Sequence, residues 1–543
     1  NAARRLIRRL KPGITNDRLQ RKYGLRLIAE LQALGRHEPA LGALVRLAAA
    51  DDADADAVVF ARAVSLAALG RDAEALPLAH AAVAQCEAQR ARLQSGSVER
   101  GVIESQADRY DLVVKLTART GAGPAAVLQA IAAAKARLFS GRLLGLTRAA
   151  AAPETTAHAF GWRNGYDTNF AAAAALLAAA GETAQQLVAA LQHTVGAMLA
   201  AEAGAAPPAA LHLPQLQAAI ADDTLVIELF QLPDELILVA LTRTRATVCR
   251  SSLTLADARE AALALNRTVQ AMQQRLHPSP QLHELFYWQT ADLYRRILLP
   301  LEELLTQHTH LLICAHRALH RIPLAVLQKP DGTLLGESHT VAYLPSLASL
   351  FRTVPAPAGR QALVVSNSTG ELRHATTEGE AVAALFPGSV HLDREQATLA
   401  AVIDRIGTAD IIHIACHNRF DPHGIVHTHI PLADAPLTTE VIFRCALPRA
   451  PLVVLSACDS GLAEERRSDE LDSFAHAFLL AGARAVLVTL WPIADAGTPV
   501  LMREFYGALV NGAEPAAALR RAREHARAAG LLPHHLGALK CTI

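Results

Sequence analysis

The chain has little that would staple, anchor or steer it. Its seven cysteines (86, 249, 314, 416, 445, 458 and 541) are odd in number and scattered, and none falls in a CxxC pair. That excludes a disulfide framework and a paired-cysteine zinc site, and it fits a reducing cytosol. No charge of one sign prevails: Lys+Arg number 52 against Asp+Glu 51. Such a balance gives no reason to make nucleic acid or an anionic membrane the main partner. Long hydrophobic runs are missing as well. The uncharged Ala/Leu-rich run 168–181 is too short and too weakly apolar to span a bilayer. No signal peptide opens the sequence, and its first residue is Asn1 rather than Met, which suggests a trimmed start. A cytoplasmic location is expected, with no metal and no cofactor. What remains is 543 residues, 51% hydrophobic and 19% charged. That describes a well-packed globular protein too long for one core, so two or three domains are expected.

The character of the chain changes near residue 220. Before that point it is rich in Ala, Leu, Arg and Gln at helical spacing. The stretch 60–83, FARAVSLAALGRDAEALPLAHAAV, reads as two short helices hinged at Gly70-Arg71-Asp72, with Gly70, Ala75 and Ala82 small enough for close packing. It resembles one tetratricopeptide (TPR) repeat, a helix-turn-helix unit that buries its second face only by stacking on neighbours. The segments 25–47 and 110–138 look like degenerate companions, and an Ala-rich helical bundle is the alternative. The stretch 200–214, containing AGAAPPAALHLP, reads as a linker.

After the linker, short β-rich runs alternate with amphipathic helices. A hairpin is expected at 225–230 and 235–243, helices at 255–274 and 282–307, and strands at 310–314 and 341–344. A second series starts at Ala362, with strands at 362–368, 389–392, 410–416, 452–457 and 484–490. The expected helices of that series are 377–385, 398–406, 471–481, 498–511 and 515–529. Unbroken Val/Ile/Leu runs separated by helices indicate a mostly parallel sheet covered on both faces. In such sheets chemistry gathers beyond the carboxyl ends of the strands.

Two strand tips carry chemistry. In DIIHIACHNRFDPHG (410–424), His413 and His417 share one strand face and Cys416 takes the other. His413 reads as a satisfied core histidine, Cys416 as a small buried hydrophobe, and His423 as a solvated turn residue. In LVVLSACDSG (452–461), Cys458 ends an apolar strand just before an Asp-Ser-Gly turn. Two readings stand for it: a buried structural cysteine, or a thiol presented at the sheet edge. The second needs a nearby imidazole to give thiolate character. His417 lies 41 residues earlier and ends the preceding expected strand of that series.

At this point a family resemblance enters. From about Asp223 onward the chain resembles the CHAT domain, a caspase-like peptidase module related to separase and the caspase/metacaspase group. The carrying pieces are DIIHIACHNRFDPHG, LVVLSACDSG, the stretch DELDSFAHAFLLAGARAVLVTLWPIADAGTPVLMREFYGAL (469–509) and PAAALRRAREHAR (515–527). Upstream, HLLICAHRALHRIPLAVL and VAYLPSLASL match the segment that precedes the caspase-like sheet. The TPR-like first part agrees, since bacterial CHAT domains often follow TPR arrays. The resemblance implies an α/β caspase-like domain, a mostly parallel sheet flanked by helices, preceded by an all-α TPR-like region. The implied divisions are 1–215 (TPR-like), 216–355 (N-terminal, pseudo-caspase-like part of the CHAT domain) and 356–543 (catalytic part).

The resemblance makes Cys458 the nucleophile and His417 the general base, later the acid for the leaving amine. It also implies an oxyanion hole formed by the backbone N–H groups of Cys458 and of the residue after the base. Glycine is expected there and Asn418 stands in its place. Asn keeps the N–H and tolerates unusual backbone angles; one lost donor costs about 3 kcal/mol of transition-state stabilisation. Asp459 and Asp495 are candidates for an acidic substrate pocket favouring Arg or Lys, and a helix N-cap is the other reading of Asp495. Trp491-Pro492 reads as a packing and turning element after a strand. The charged run 461–472 reads as a solvated loop or as a self-cleavage loop cut at Arg466 or Arg467.

The function implied is a cysteine endopeptidase with a protein substrate, controlled by a protein partner bound through the TPR-like region, as in bacterial defence or regulated cell death. A peptidase-like scaffold without chemistry is the alternative, and a Cys–His acyl transferase or hydrolase is a third possibility that the residue pair alone permits.

Overall fold

The computed structural model describes residues 17–48, 55–90, 106–135, 211–274, 279–355, 359–418, 429–456, 474–491 and 498–543. These fall into two units, 17–134 and, with Lys135, 211–543. The expected linker at 200–214 lies outside the described residues up to 210, and its end is already helical, in Leu213–Ala218.

In the first unit, helices pair off around glycines. Helix α1 (Asp17–Ala33) turns into α2 (His37–Ala48), α3 (Ala55–Ala68) into α4 (Asp72–Arg90), and α5 (Ala107–Arg119) into α6 (Pro124–Ala134). Gly35, Gly70 and Gly121 sit at the three turns with φ of 70°, 74° and 73°, a left-handed backbone that a side chain would strain. The first two turns use the same closure: Arg36 N–H bonds Leu31 O (2.8 Å) and Arg71 N–H bonds Leu66 O (2.9 Å). Their sequences match too, LQALGR at 31–36 and LAALGR at 66–71, starting 35 residues apart (Leu31 to Leu66). That spacing is close to a TPR period. Alanines at 63, 75, 79 and 82 are fully buried and let α3 and α4 approach closely. Polar ties join successive pairs. Gln32 donates to Ala61 O (2.7 Å) and Ser65 Oγ (2.9 Å), and Arg109 pairs with Asp56 while lying over the Phe60 ring.

In the second unit the apolar runs become strands, because residues buried on both sides fit a sheet covered by helices on each face. The strands are β1 (Thr224–Gln231), β2 (Leu236–Leu241), β3 (Ala246–Ser251), β4 (His310–Cys314) and β5 (Thr340–Tyr343). They continue as β6 (Ala362–Ser366), β7 (Val390–Asp393), β8 (Ile411–Ala415), β9 (His429–Pro431), β10 (Pro436–Thr438), β11 (Leu452–Leu455), β12 (Ala485–Thr489) and β13 (Leu539–Thr542). Eleven of them form one sheet in the order β3-β2-β1-β4-β5-β13-β12-β11-β8-β6-β7, while β9 and β10 pair as a separate ribbon. Strands β7, β6, β8, β11 and β12 run parallel. Strand β13 is antiparallel to β12 but parallel to β5, and so splices this array to the parallel strands β5, β4 and β1.

Side chains alternate cleanly through the array. Val364, Leu452, Val454 and Leu487 join one core with Val382 and Phe386 from helix α9 (373–386 region, Arg373–Leu385 and its end), and with residues of α13 (Thr498–Val510) and α14 (Pro515–Ala528). Val365, Ile412, Ile414, Cys416, Val453 and Leu455 join the other, against α10 (Leu399–Ile406), α11 (Thr439–Arg444) and α12 (Phe474–Ala481). The helices numbered α7 (Leu255–Gln273) and α8 (Pro280–Ile297) belong to the first half of this unit.

The structure departs from the sequence reading in several elements, among them the β9–β10 ribbon and α11, which the pattern does not predict. The helix expected over 282–307 ends at Ile297 and resumes as Glu302–Gln307, because Pro300 removes a helical donor. The edge strand β3 and the splicing strand β13 were not anticipated. Among the described residues, no helix is long and apolar enough to cross a membrane.

Candidate active site

Within the parallel array the strand order reverses between β6 and β8. From β6 the chain steps outward to β7, and from β8 inward through β11 to β12. The chain leaving β6 enters α9 on one face, while the helix that follows the β9–β10 ribbon, α11, lies on the other. In open α/β sheets, loops that part in this way are where a crevice is expected, beyond the carboxyl ends of the two strands.

The β6 side of the crevice is the turn SNSTGE (366–371). Ser366 is fully buried, and its hydroxyl donates to Asp393 Oδ1 (2.7 Å), leaving it to accept from His391 Nε2 (2.8 Å). Thr376 donates to the same carboxylate oxygen (2.9 Å). Asn367 adopts the left-handed region (φ 46°), which Asn tolerates better than most residues. It bonds in four directions: its N–H to Ala415 O (2.9 Å), Nδ2 to Thr376 Oγ1 (3.0 Å), its carbonyl from Gly370 N–H (2.8 Å) and Oδ1 from Leu372 N–H (2.7 Å). Helix α9 can press this close because Gly379 lacks a side chain. A Cβ there would stand 2.7 Å from His391 Nε2 and 2.9 Å from Ser366 Oγ.

The β8 side carries the two expected histidines on one face. His413 is fully buried, with Nδ1 2.8 Å from the Tyr506 hydroxyl and Nε2 3.3 Å from Glu378 Oε1. Burial, then the nearby Glu378 carboxylate, holds the Tyr506 phenol well above its ordinary range. His413 is therefore a core histidine, as its sequence position implies, bonded through Nδ1 while Nε2 has no hydrogen-bond partner among the described residues. His417, four residues on, is half-exposed at the strand tip, its side chain 38% accessible, with Nε2 3.4 Å from Glu371 Oε2. Asn418 follows, and its Oδ1 is buried without a hydrogen-bond partner among the described residues.

Strand β11 lies directly beside β8, with Leu455 opposite Ile414 and Ser456 N–H bonded to Ile414 O (2.9 Å). Cys458, Asp459 and Asp495 lie outside the described residues, as do His423, Pro492 and the run 461–472. Ser456 is two positions ahead of Cys458, as Ala415 is two ahead of His417. Trp491 packs in the core as expected, its indole N–H bonded to His534 O (2.9 Å).

The described cysteines offer no activated thiol at this edge. Cys416 points to the opposite core at 1% exposure, its thiol within 3.8 Å of Val365 O and pushed up by burial. Burial likewise raises the thiols of Cys86, Cys249 and Cys445, and it pushes Cys541 up to about 12. Glu371, together with Ser366, Asn367, His391 and Asp393 behind it, belongs to this edge and is not singled out by the sequence pattern. The signal open to view was a turn-rich SNSTGE directly after a buried strand.

Residues 289–533 match the family described as CHAT domain. Tetratricopeptide repeat protein 28 of Homo sapiens is 32% identical over 104 residues, which is 19% of this chain and 4% of that protein. The Mus musculus protein of the same name is 33% identical over 104 residues. The chain thus spans only a small part of the curated relatives it matches. Among solved structures, a chain of the Saccharomyces cerevisiae separase–securin complex aligns with 98% of this chain and 48% of its own length, at 11% identity and a TM-score of 0.48. The Arg-specific cysteine proteinase gingipain R aligns with 52% of this chain and 74% of its own length, at 11% identity and a TM-score of 0.30.

Proposed function

With a CHAT domain as the premise, we propose that the second unit is a caspase-like cysteine endopeptidase whose nucleophile is Cys458 and whose general base is His417. The observation that carries this reading is the parallel pairing of β8 with β11. It puts the strand leading to the histidine beside the strand leading to the cysteine, both on the inner flank of the switch-point crevice. The absence of an activated thiol among the cysteines named above supports the choice of Cys458. In this scheme the imidazole takes the thiol proton, and the thiolate adds to the scissile carbonyl. The oxyanion is held by the backbone N–H groups of Cys458 and Asn418. Collapse expels the amine with the proton carried by His417, and water then hydrolyses the thioester.

Asp459 and Asp495 are proposed to line a pocket for a basic residue of a protein substrate. Residues 216–355 serve as the pseudo-caspase-like half of the domain and 356–543 as the catalytic half. The first unit binds a regulatory protein, since stacked helical pairs of this kind present extended surfaces. A cytoplasmic role in bacterial antiviral defence or regulated cell death fits this arrangement.

The test is cleavage of co-expressed or added proteins by the parent chain and by Cys458→Ala. Cleavage confined to the parent is the expected result, and equal cleavage by both ends the assignment. A second reading, a peptidase-like scaffold, is favoured by Asn418, which stands where the family has glycine and keeps a buried oxygen unpaired among the described residues. An electrophile that labels Cys458 only when His417 is intact separates the two.

A further inference from the structure

The base of the proposed peptidase has a carboxylate beside it that neither the sequence pattern nor the family match assigns. We infer that Glu371 is a positioning residue for His417, holding the ring proton at Nε2 so that Nδ1 is the nitrogen that accepts and returns the proton in catalysis. The inference rests on the reading of His417 as the base.

Three observations carry it. The first is the contact itself, His417 Nε2 to Glu371 Oε2 at 3.4 Å. The separation is that of an ion-pair approach; a carboxylate only accepts hydrogen bonds, so a neutral imidazole that closes on it through Nε2 would carry its hydrogen there and leave Nδ1 as the lone-pair nitrogen.

The second is the way Glu371 is mounted. Its side chain is 72% accessible, but its backbone is clamped on both sides by one residue. Gly370 N–H bonds the Asn367 carbonyl and Leu372 N–H bonds Asn367 Oδ1. Asn367 is in turn fixed to Ala415 O on β8, two positions before His417. The carboxylate and the imidazole therefore hang from a shared frame, although the contact between them is exposed.

The third is topology. Strand β8 has β6 on one flank and β11 on the other. Glu371 belongs to the β6 flank, and the proposed nucleophile follows β11. A ring that turns Nε2 toward the first flank leaves Nδ1 for the second. The proton then passes from the thiol to Nδ1 as the thiolate forms, and from Nδ1 to the amine as the C–N bond breaks.

Because the pair is exposed, its effect is modest. Glu371→Gln is expected to lower kcat about fivefold at unchanged KM, and Glu371→Asp to recover most of the loss. The deciding measurement does not depend on cleavage. Histidine-specific 15N labelling of the full chain, with His417→Gln used to assign the signal, reads which ring nitrogen of neutral His417 is protonated. The expected spectrum has Nε2 protonated in the parent and both tautomers populated in Glu371→Gln. Identical ring signals in the two proteins, or a parent protonated at Nδ1, overturn the inference. If Cys458 resists an active-site electrophile yet the ring signals respond, the pair stands and the peptidase reading fails. If the parent cleaves and the signals do not respond, the reverse holds.

Discussion

The same strands end in two different ways. At their amino ends, Asp410 stitches β6, β8 and β11 together. Its carboxylate accepts Arg449 Nε (3.0 Å), Arg449 Nη2 (2.7 Å) and Gln361 N–H (2.9 Å). Its own N–H bonds Gln361 O and its carbonyl takes Leu452 N–H. At the carboxyl ends, His417 has a single long contact to an exposed carboxylate, and Asn418 keeps a buried oxygen unpaired among the described residues. Among the described residues, the amino ends spend their hydrogen-bonding capacity on closing the sheet, while the tip of β8 leaves some unspent. Binding and catalysis need groups that the fold has not already satisfied, so the unsaturated end is where chemistry is expected.

Mutations can break this contrast. The largest effect expected is from His417→Ala, which should lower cleavage about 10³- to 10⁴-fold while leaving the denaturation midpoint close to the parent's. A large loss of stability instead would mean that this end is structural too. Next comes Asn418→Pro, which deletes the proposed oxyanion N–H and should cost about 3 kcal/mol in kcat. Asn418→Gly keeps the donor and should retain activity. Equal rates for the two variants would remove Asn418 from the hole.

The amino end should answer in the opposite sense. Asp410→Ala removes a buried acceptor and should lower stability by about 2 kcal/mol in urea titration, with unchanged activity per folded molecule.

The most graded effect is acid sensitivity near Trp491. Burial, and after it the neighbouring His535 and His283, lower the His534 pKa to about 3. Burial lowers His535 as well. An unfolded chain would take up these protons first, so the stability they support is complete above about pH 6.5 and is lost as pH falls toward 3. His534 alone contributes roughly 1.4 kcal/mol per pH unit across that window, or about 2 kcal/mol by pH 5. His534→Gln should flatten the slope measured by thermal unfolding between pH 7 and 5.

Much of this was legible in the residues because it depends on local pattern. The unbroken apolar runs gave the parallel strands, and the two-residue alternation placed His413 and Cys416 on opposite faces. Gly70 marked a helical hinge through its freedom at positive φ. The companion hinge at Gly35 was equally visible in LQALGR, which repeats LAALGR. What stayed hidden depends on distant partners. Strand β13, LKCT, has no strong β pattern and becomes a strand because β12 and β5 flank it. Strand β3, ATVCRS, lies at an edge where exposure blurs the alternation. Glu371 looks like any carboxylate in a turn until β6 and β8 are set side by side. The pairing of His417 with Cys458 remains a proposal built on the register of β8 and β11.

The splice made by β13 also sets a timetable for synthesis. The open side of β5 waits for a partner that lies about 200 residues further along the chain, from Tyr343 to Thr542. At ribosomal speeds that is roughly 10–40 s during which a sheet edge stands uncovered. Such an edge is a template for pairing with other chains. A cell making this protein therefore has an interval in which a chaperone, or dilution, must do what β13 does afterwards.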